Sequence, residues 1–123
     1  MAKNRIMIVE DEESLLKLES ILLSAKGYSV TGVRDGESAL EEIRSHKPDL
    51  VLLDIMLPLL DGFEVCRRIR ENPETSTIPV IMLTARKDSQ DRCRGLEAGA
   101  DAYITKPFKS AEVIETIESL LKR

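Results

Sequence analysis

Aromatic residues are scarce here: the sequence has no tryptophan, two tyrosines and two phenylalanines in 123 residues. That leaves few platforms on which bases or sugars could stack. A basic surplus is missing as well. The formal net charge is −4, whereas binding to a phosphate backbone needs clustered Lys and Arg, so no direct nucleic-acid partner is expected. Cysteine is limited to Cys66 and Cys93, far apart and without CxxC spacing, which argues against a metal knuckle or a redox pair. Both are expected to be reduced residues on helices. No apolar run approaches membrane-spanning length, and the opening "MAKNRIMIVEDEES" reaches acidic residues too soon for a signal peptide. A cytoplasmic location with no membrane partner follows as the expectation.

What is present is a regular alternation. Hydrophobic content of 42% and charged content of 33% are ordinary for a globular chain, and one domain over 1–123 is expected. Short apolar runs at 5–10, 28–33, 50–54, 79–84 and 102–105 alternate with longer helical patterns, which predicts five βα units around a parallel sheet. The first, third and fourth runs are nearly continuous, as strands covered on both faces should be. Predicted helices run from Glu13 to Lys26 with Leu15, Leu18, Leu22 and Ala25 inward, from Glu37 to Ser45, and from an Asp61 N-cap to Asn72 with Phe63, Cys66 and Ile69 inward. Two more lie between Ser89 and Ala98 and from Ser110 onward, the last with a stripe of Val113, Ile114, Ile117, Leu120 and Leu121. Gly27 and Gly99 stand where left-handed helix terminators belong.

Parallel βα units put the carboxyl ends of all strands on one edge, where ligands bind. Glu10 and Asp11 follow the first strand, Asp54 ends the third, Thr84 the fourth, and Lys106 follows the fifth. Crowded carboxylates raise one another's pKa unless a cation neutralises them, and an all-oxygen cluster favours Mg²⁺ over zinc. A carboxylate can also attack phosphorus. In that chemistry Asp54 would be the nucleophile, Asp11 a metal ligand, Lys106 a counter-charge on a phosphoryl oxygen and Thr84 a hydrogen-bond donor to another. Taken singly, Asp54 reads as a loop cap, Glu10 and Asp11 as helix-dipole partners, Lys106 as a solvated lysine, Thr84 as a strand residue and Tyr103 as a half-buried ring. Together, the groups at the strand ends favour the chemical reading. His46, near the end of the second helix, suits that helix's dipole.

Four motifs in order, "IVEDEE", "LLDIMLPLLDG", "IMLTA" and "YITKPF", resemble the response regulator receiver domain of two-component signalling over essentially the whole chain. The resemblance implies a flavodoxin-like (βα)5 doubly wound α/β fold with a five-stranded parallel sheet of order 2-1-3-4-5. It also implies that Asp54 accepts a phosphoryl group from a phosphohistidine on a partner, a sensor histidine kinase or histidine phosphotransfer protein. Mg²⁺ would be held by Asp11 and Asp54 directly, by Glu10 through water, and by the backbone carbonyl of Met56. Lys106, Thr84 and Ala85 would bind the phosphoryl group, Thr84 and Tyr103 would form a switch, and the bond before Pro107 would be cis. The fourth helix, fifth strand and fifth helix, with Leu96, Ala98 and Ala102 as an apolar patch, would contact a downstream output protein or domain or a second copy. Such a domain is not an enzyme beyond its own phosphotransfer and autodephosphorylation.

Two features depart from the family's usual pattern: Glu10 stands where Asp is commoner, and Met56 and Arg86 occupy variable positions that bear on the lifetime of the phosphorylated form. Two other readings remain at this stage. One is a phosphatase of the haloacid-dehalogenase type, although Met56 stands where such enzymes typically carry a second Asp. The other is a receiver-like binding module that is never phosphorylated.

Overall fold

The computed structural model describes residues 4–57, 59–84, 89–106 and 109–122. Its elements alternate as expected: β1 (Arg5–Val9), α1 (Glu13–Ala25), β2 (Ser29–Val33), α2 (Gly36–His46), β3 (Leu50–Leu53), α3 (Gly62–Glu71), β4 (Val80–Thr84), α4 (Ser89–Glu97), β5 (Ala102–Thr105) and α5 (Ser110–Leu121). All four strand pairings are parallel and the order is β2-β1-β3-β4-β5. This is the flavodoxin-like arrangement.

The apolar runs are continuous because the sheet is covered twice. Met7, Val9, Val51, Leu53, Val80 and Met82 point to one face, where Ala39, Ile43, Phe63, Cys66 and Ile69 of α2 and α3 close over them. Their neighbours Ile6, Ile8, Leu50, Leu52, Ile81 and Leu83 point to the other face, packed by Leu23 of α1 and by Val113 and Ile117 of α5. Alternation at period two thus splits each run between two cores. Each fully buried aliphatic side chain contributes roughly 1.5–3 kcal/mol relative to exposure.

Helix ends follow local chemistry. Asp61 caps α3 by accepting from the Glu64 N–H at 3.0 Å, as expected, and Asp35 caps α2 in the same way through the Ser38 N–H at 2.8 Å. Gly27 and Gly99 have φ of +94° and +108°, the left-handed conformation that ends α1 and α4. Both cysteines are free, Cys66 buried and Cys93 exposed. Burial pushes the Cys66 thiol up to about 11, so it is an inert core group. His46, in the last turn of α2, pairs with Glu42 through Nδ1 at 3.0 Å.

Two expectations are corrected. Of Leu15, Leu18, Leu22 and Ala25 in the expected α1 stripe, Leu15 and Leu22 are half-buried but Leu18 and Ala25 are exposed, and the buried residues of α1 are Glu19 and Leu23, with Leu16 packed beside them. The apolar patch assigned to Leu96, Ala98 and Ala102 shrinks to Leu96, because Ala98 and Ala102 pack against the cores on opposite faces.

Arg70, at the end of α3, locks the edge of the sheet remote from the strands' carboxyl ends. Its guanidinium donates to the carbonyls of Gly99, Ser76 and Ile78 and to Asp101, which in turn accepts from the Val80 N–H.

The loop after β3 is fixed at its base. Ile55 and Leu57 are buried, and the Ile55 carbonyl accepts from the N–H groups of Leu57 and Gly62 at 2.9 and 3.0 Å. A Cβ on Gly62 would lie 2.5 Å from the Asp54 carbonyl oxygen and 2.7 Å from Ile55 Cα, both backbone atoms with nowhere to go. Gly62→Ala should therefore lower the unfolding free energy by about 1–3 kcal/mol, measured by urea denaturation; an unchanged midpoint would show that the loop has slack.

Candidate functional site

The same period-two alternation that builds the core aims the polar groups beyond it. Val9 pairs with Leu53 in register, and the next residues, Glu10 and Asp54, project to the α1/α5 side of the sheet. Lys106 has the same parity as Ile104 in β5 and comes to that side too. The backbone holds them there: the Glu10 N–H donates to Val33 O at 2.9 Å, Asp54 N–H to Val9 O at 3.0 Å and Lys106 N–H to Thr84 O at 2.7 Å.

Lys106 is the hub. Its Nζ donates to Glu10 Oε1 at 2.8 Å and to Asp54 Oδ2 at 3.4 Å. The other oxygen of each carboxylate is tied locally: Glu10 Oε2 accepts from the Glu12 N–H at 3.2 Å, and Asp54 Oδ1 from the Met56 N–H at 3.0 Å. Glu10 and Asp54 are both buried. Asp11 sits less deeply, and one ligand oxygen from each of Glu10, Asp11 and Asp54 can be chosen so that all lie within 4.8 Å of one another. Such a set of hard oxygens fits a divalent cation of the Mg²⁺ type.

The electrostatics follow from this burial. Desolvation raises the Glu10 carboxyl above its usual value and the Asp54 charge adds to it, while the hydrogen bond and charge of Lys106 oppose both. Burial works to lower the pKa of Lys106, but the hydrogen bond to Glu10 and the negative charges of Asp54, Glu10 and Glu19 outweigh it and leave it raised. Lys106 is thus a fixed cation, not a proton carrier near neutral pH.

Thr84 ends β4 fully buried, two residues beyond the β4 stretch paired with β3. Tyr103 is buried as well. Arg92 of α4 stacks over its ring at 5.5 Å and donates to its carbonyl at 3.2 Å. Gly95 makes room for that ring: a Cβ there would lie 2.8 Å from Met82 Sδ and 3.0 Å from Tyr103 Cδ2. The structure therefore brings Glu10, Asp11, Asp54 and Lys106 together, and places Thr84 and Tyr103 on β4 and β5. The Met56 side chain is exposed beside Asp54. Ala85, Arg86 and Pro107 lie outside the described residues. Glu19, which the sequence reading passed over, is a buried acid that the charges of Glu10, Lys106 and Asp54 all reach. Its position within an apolar helix stripe was the signal available.

Known proteins resemble this chain along nearly its whole length. The family model of the response regulator receiver domain matches residues 6–118. The transcriptional regulatory protein CseB of Streptomyces coelicolor is 47% identical over 98% of this chain and 50% of its own length. The alkaline phosphatase synthesis transcriptional regulatory protein PhoP of Bacillus subtilis is 44% identical over 97% of this chain and 49% of its own length. The chain thus spans about half the length of the curated relatives it matches. Among solved structures, the receiver domain of a sensor histidine kinase from Pseudomonas aeruginosa superposes with a TM-score of 0.92 at 34% identity, covering 99% of this chain and 100% of its own. That structure has a magnesium ion coordinated in its active-site cleft.

Removing the Lys106 charge should expose the cost of burying Glu10. In Lys106→Met the folded-state pKa of Glu10 rises further above the reference value of 4.5. An acid raised in the folded state carries no penalty below its unfolded pKa and the whole penalty above its folded one. The variant should therefore match wild type near the unfolded value and fall on the order of 2 kcal/mol below it at alkaline pH, read by chemical denaturation across pH. A deficit independent of pH would contradict this.

Proposed function

Because this chain belongs to the response regulator receiver family, we propose that Asp54 is its phosphoacceptor in a two-component phosphorelay. The observation that carries this reading is the Lys106 ammonium held 3.4 Å from Asp54 Oδ2, beside a trio of carboxylates spaced for a cation. Asp11 and Asp54, with Glu10 through water and the Met56 carbonyl, would hold Mg²⁺. The ion would supply neutralisation of the phosphoryl oxygens. The remaining work falls to the protein. An Asp54 oxygen forms the new bond to phosphorus as the bond to the donor's imidazole nitrogen breaks, and the electron pair leaves with the imidazole. Lys106 shifts its pairing toward a phosphoryl oxygen, and Thr84 and Ala85 are proposed to bind the arriving group.

The charge change is strong and local, so a bistable element must convert it into an altered surface. Thr84 and Tyr103 are the proposed pair, joined to α4 through Arg92. The face of α4, β5 and α5 is the proposed contact for an output domain or for a second copy of the chain. The similarity to transcriptional regulatory proteins supports an output linked to transcription. The donor is proposed to be a histidine kinase or a histidine phosphotransfer protein, and the receiver unit to occupy 1–123.

No helix among the described residues is long and apolar enough to cross a membrane, which accords with a proposed cytoplasmic setting. Turnover of external substrates forms no part of this reading.

Incubation with acetyl phosphate and Mg²⁺ should add one phosphoryl mass to wild type and none to Asp54→Asn, read by intact-mass spectrometry, and chelation of Mg²⁺ should abolish the label. Equal labelling of both proteins would sink the assignment, and steady hydrolysis of phosphate monoesters would move it to the phosphatase reading.

A further inference from the structure

Glu19 is the residue that the phosphoacceptor chemistry leaves unused. It lies in the middle of α1, 4% exposed, and its Oε2 is the one buried side-chain polar atom among the described residues with no hydrogen-bond partner. A carboxylate in that condition is costly, whereas the neutral acid is tolerated far better. Its surroundings explain the deficit. Glu19 lines a cavity of about 10 Å³ between α1 and α5 whose walls include Leu23, Leu52, Leu83 and Val113, with the polar Ser110 at the start of α5. That volume holds about one water molecule and no larger ligand.

The charges that reach it come from the acidic cleft. Glu10 beyond β1 and Asp54 beyond β3 oppose ionisation of Glu19, and Lys106 beyond β5 favours it. Residues Ser110, Val113 and Ile114 of α5 carry no charge, and neither do Leu22 and Leu23 of its own helix. Among the described residues no ion pair joins Glu19 to Lys106, which is engaged by Glu10 and Asp54. Glu19 therefore feels the cleft without being a member of it.

We propose that Glu19 is a proton-linked element beneath the cleft: it holds a proton while the carboxylates and Lys106 alone face it, and releases that proton when a divalent cation seats among Glu10, Asp11 and Asp54. The inference rests on the metal site assigned above. Burial, followed by the Glu10 charge, brings the Glu19 carboxyl up to about 7, where a nearby double positive charge moves its proton occupancy most effectively. Linkage makes the effect reciprocal: whatever factor the cation imposes on proton affinity, pH imposes on cation affinity. Cation binding then strengthens as pH rises through neutrality, for a reason separate from deprotonation of the ligands themselves.

The test follows Glu19 directly by ¹³C NMR of glutamate carboxyl carbons, with its resonance assigned by loss in Glu19→Gln. Without metal it should titrate near 7, and with saturating Mg²⁺ its midpoint should move to lower pH. A midpoint near 4.5, the unperturbed value, overturns the proposal. So does a midpoint that stays fixed while Glu10 or the aspartates respond to Mg²⁺. If no carboxyl responds to Mg²⁺, the metal site itself is refuted and this inference goes with it.

A metal-free measurement isolates the burial argument. Glu19→Gln should melt roughly 5 °C or more above wild type at about pH 8.5, with the gap closing toward the unfolded glutamate pKa. Coincident melting curves at every pH also overturn the proposal.

Discussion

The arrangement at the sheet edge depends on one ammonium group. Lys106 places a positive charge between two buried carboxylates, Glu10 and Asp54, that the strands deliver to the same side of the sheet. Desolvation alone would drive a proton onto Glu10, and the charge of Asp54 adds to that pressure. The lysine counters both, from a strand two removed in sheet order from β3. Topology therefore matters to the chemistry: with β4 and β5 stacked outside β3, the residue following β5 lands within reach of the residue following β3.

The cluster is also held in two tiers. Each buried carboxylate gives one oxygen to Lys106 and the other to a backbone N–H in its own loop, Glu12 for Glu10 and Met56 for Asp54. Orientation thus comes from the chain and charge balance from the lysine. Fixed polar groups of this kind favour phosphoryl transfer, where most of the catalytic effect lies in positioning and neutralisation.

Much of this was legible in the amino-acid order, for reasons that differ by element. The strands announced themselves because both faces of the sheet are covered, so β1, β3 and β4 are unbroken aliphatic runs. Acidic and basic residues at the ends of those runs then had to share an edge. Strand order came from family resemblance, since periodicity says nothing about which strands are neighbours. The α1 stripe was misread because Glu19 sits where the pattern called for an apolar residue, and a charge in a core position looks like solvent in sequence. Arg70 gave no signal either: three of its acceptors are backbone carbonyls from other segments, which have no residue code. Ala98 and Ala102 were small enough to suit surface or core, and only the packing decided.

The missing side chain at Gly95 sets a clearance. The Tyr103 ring fills the space between α4 and the sheet so closely that one added carbon would touch both the ring and Met82. With Arg92 laid over the ring from the same helix, the tyrosine acts as a spacer whose thickness fixes how far α4 stands from β4 and β5. Ring and helix share one gap, so neither can be repositioned without the other being repacked.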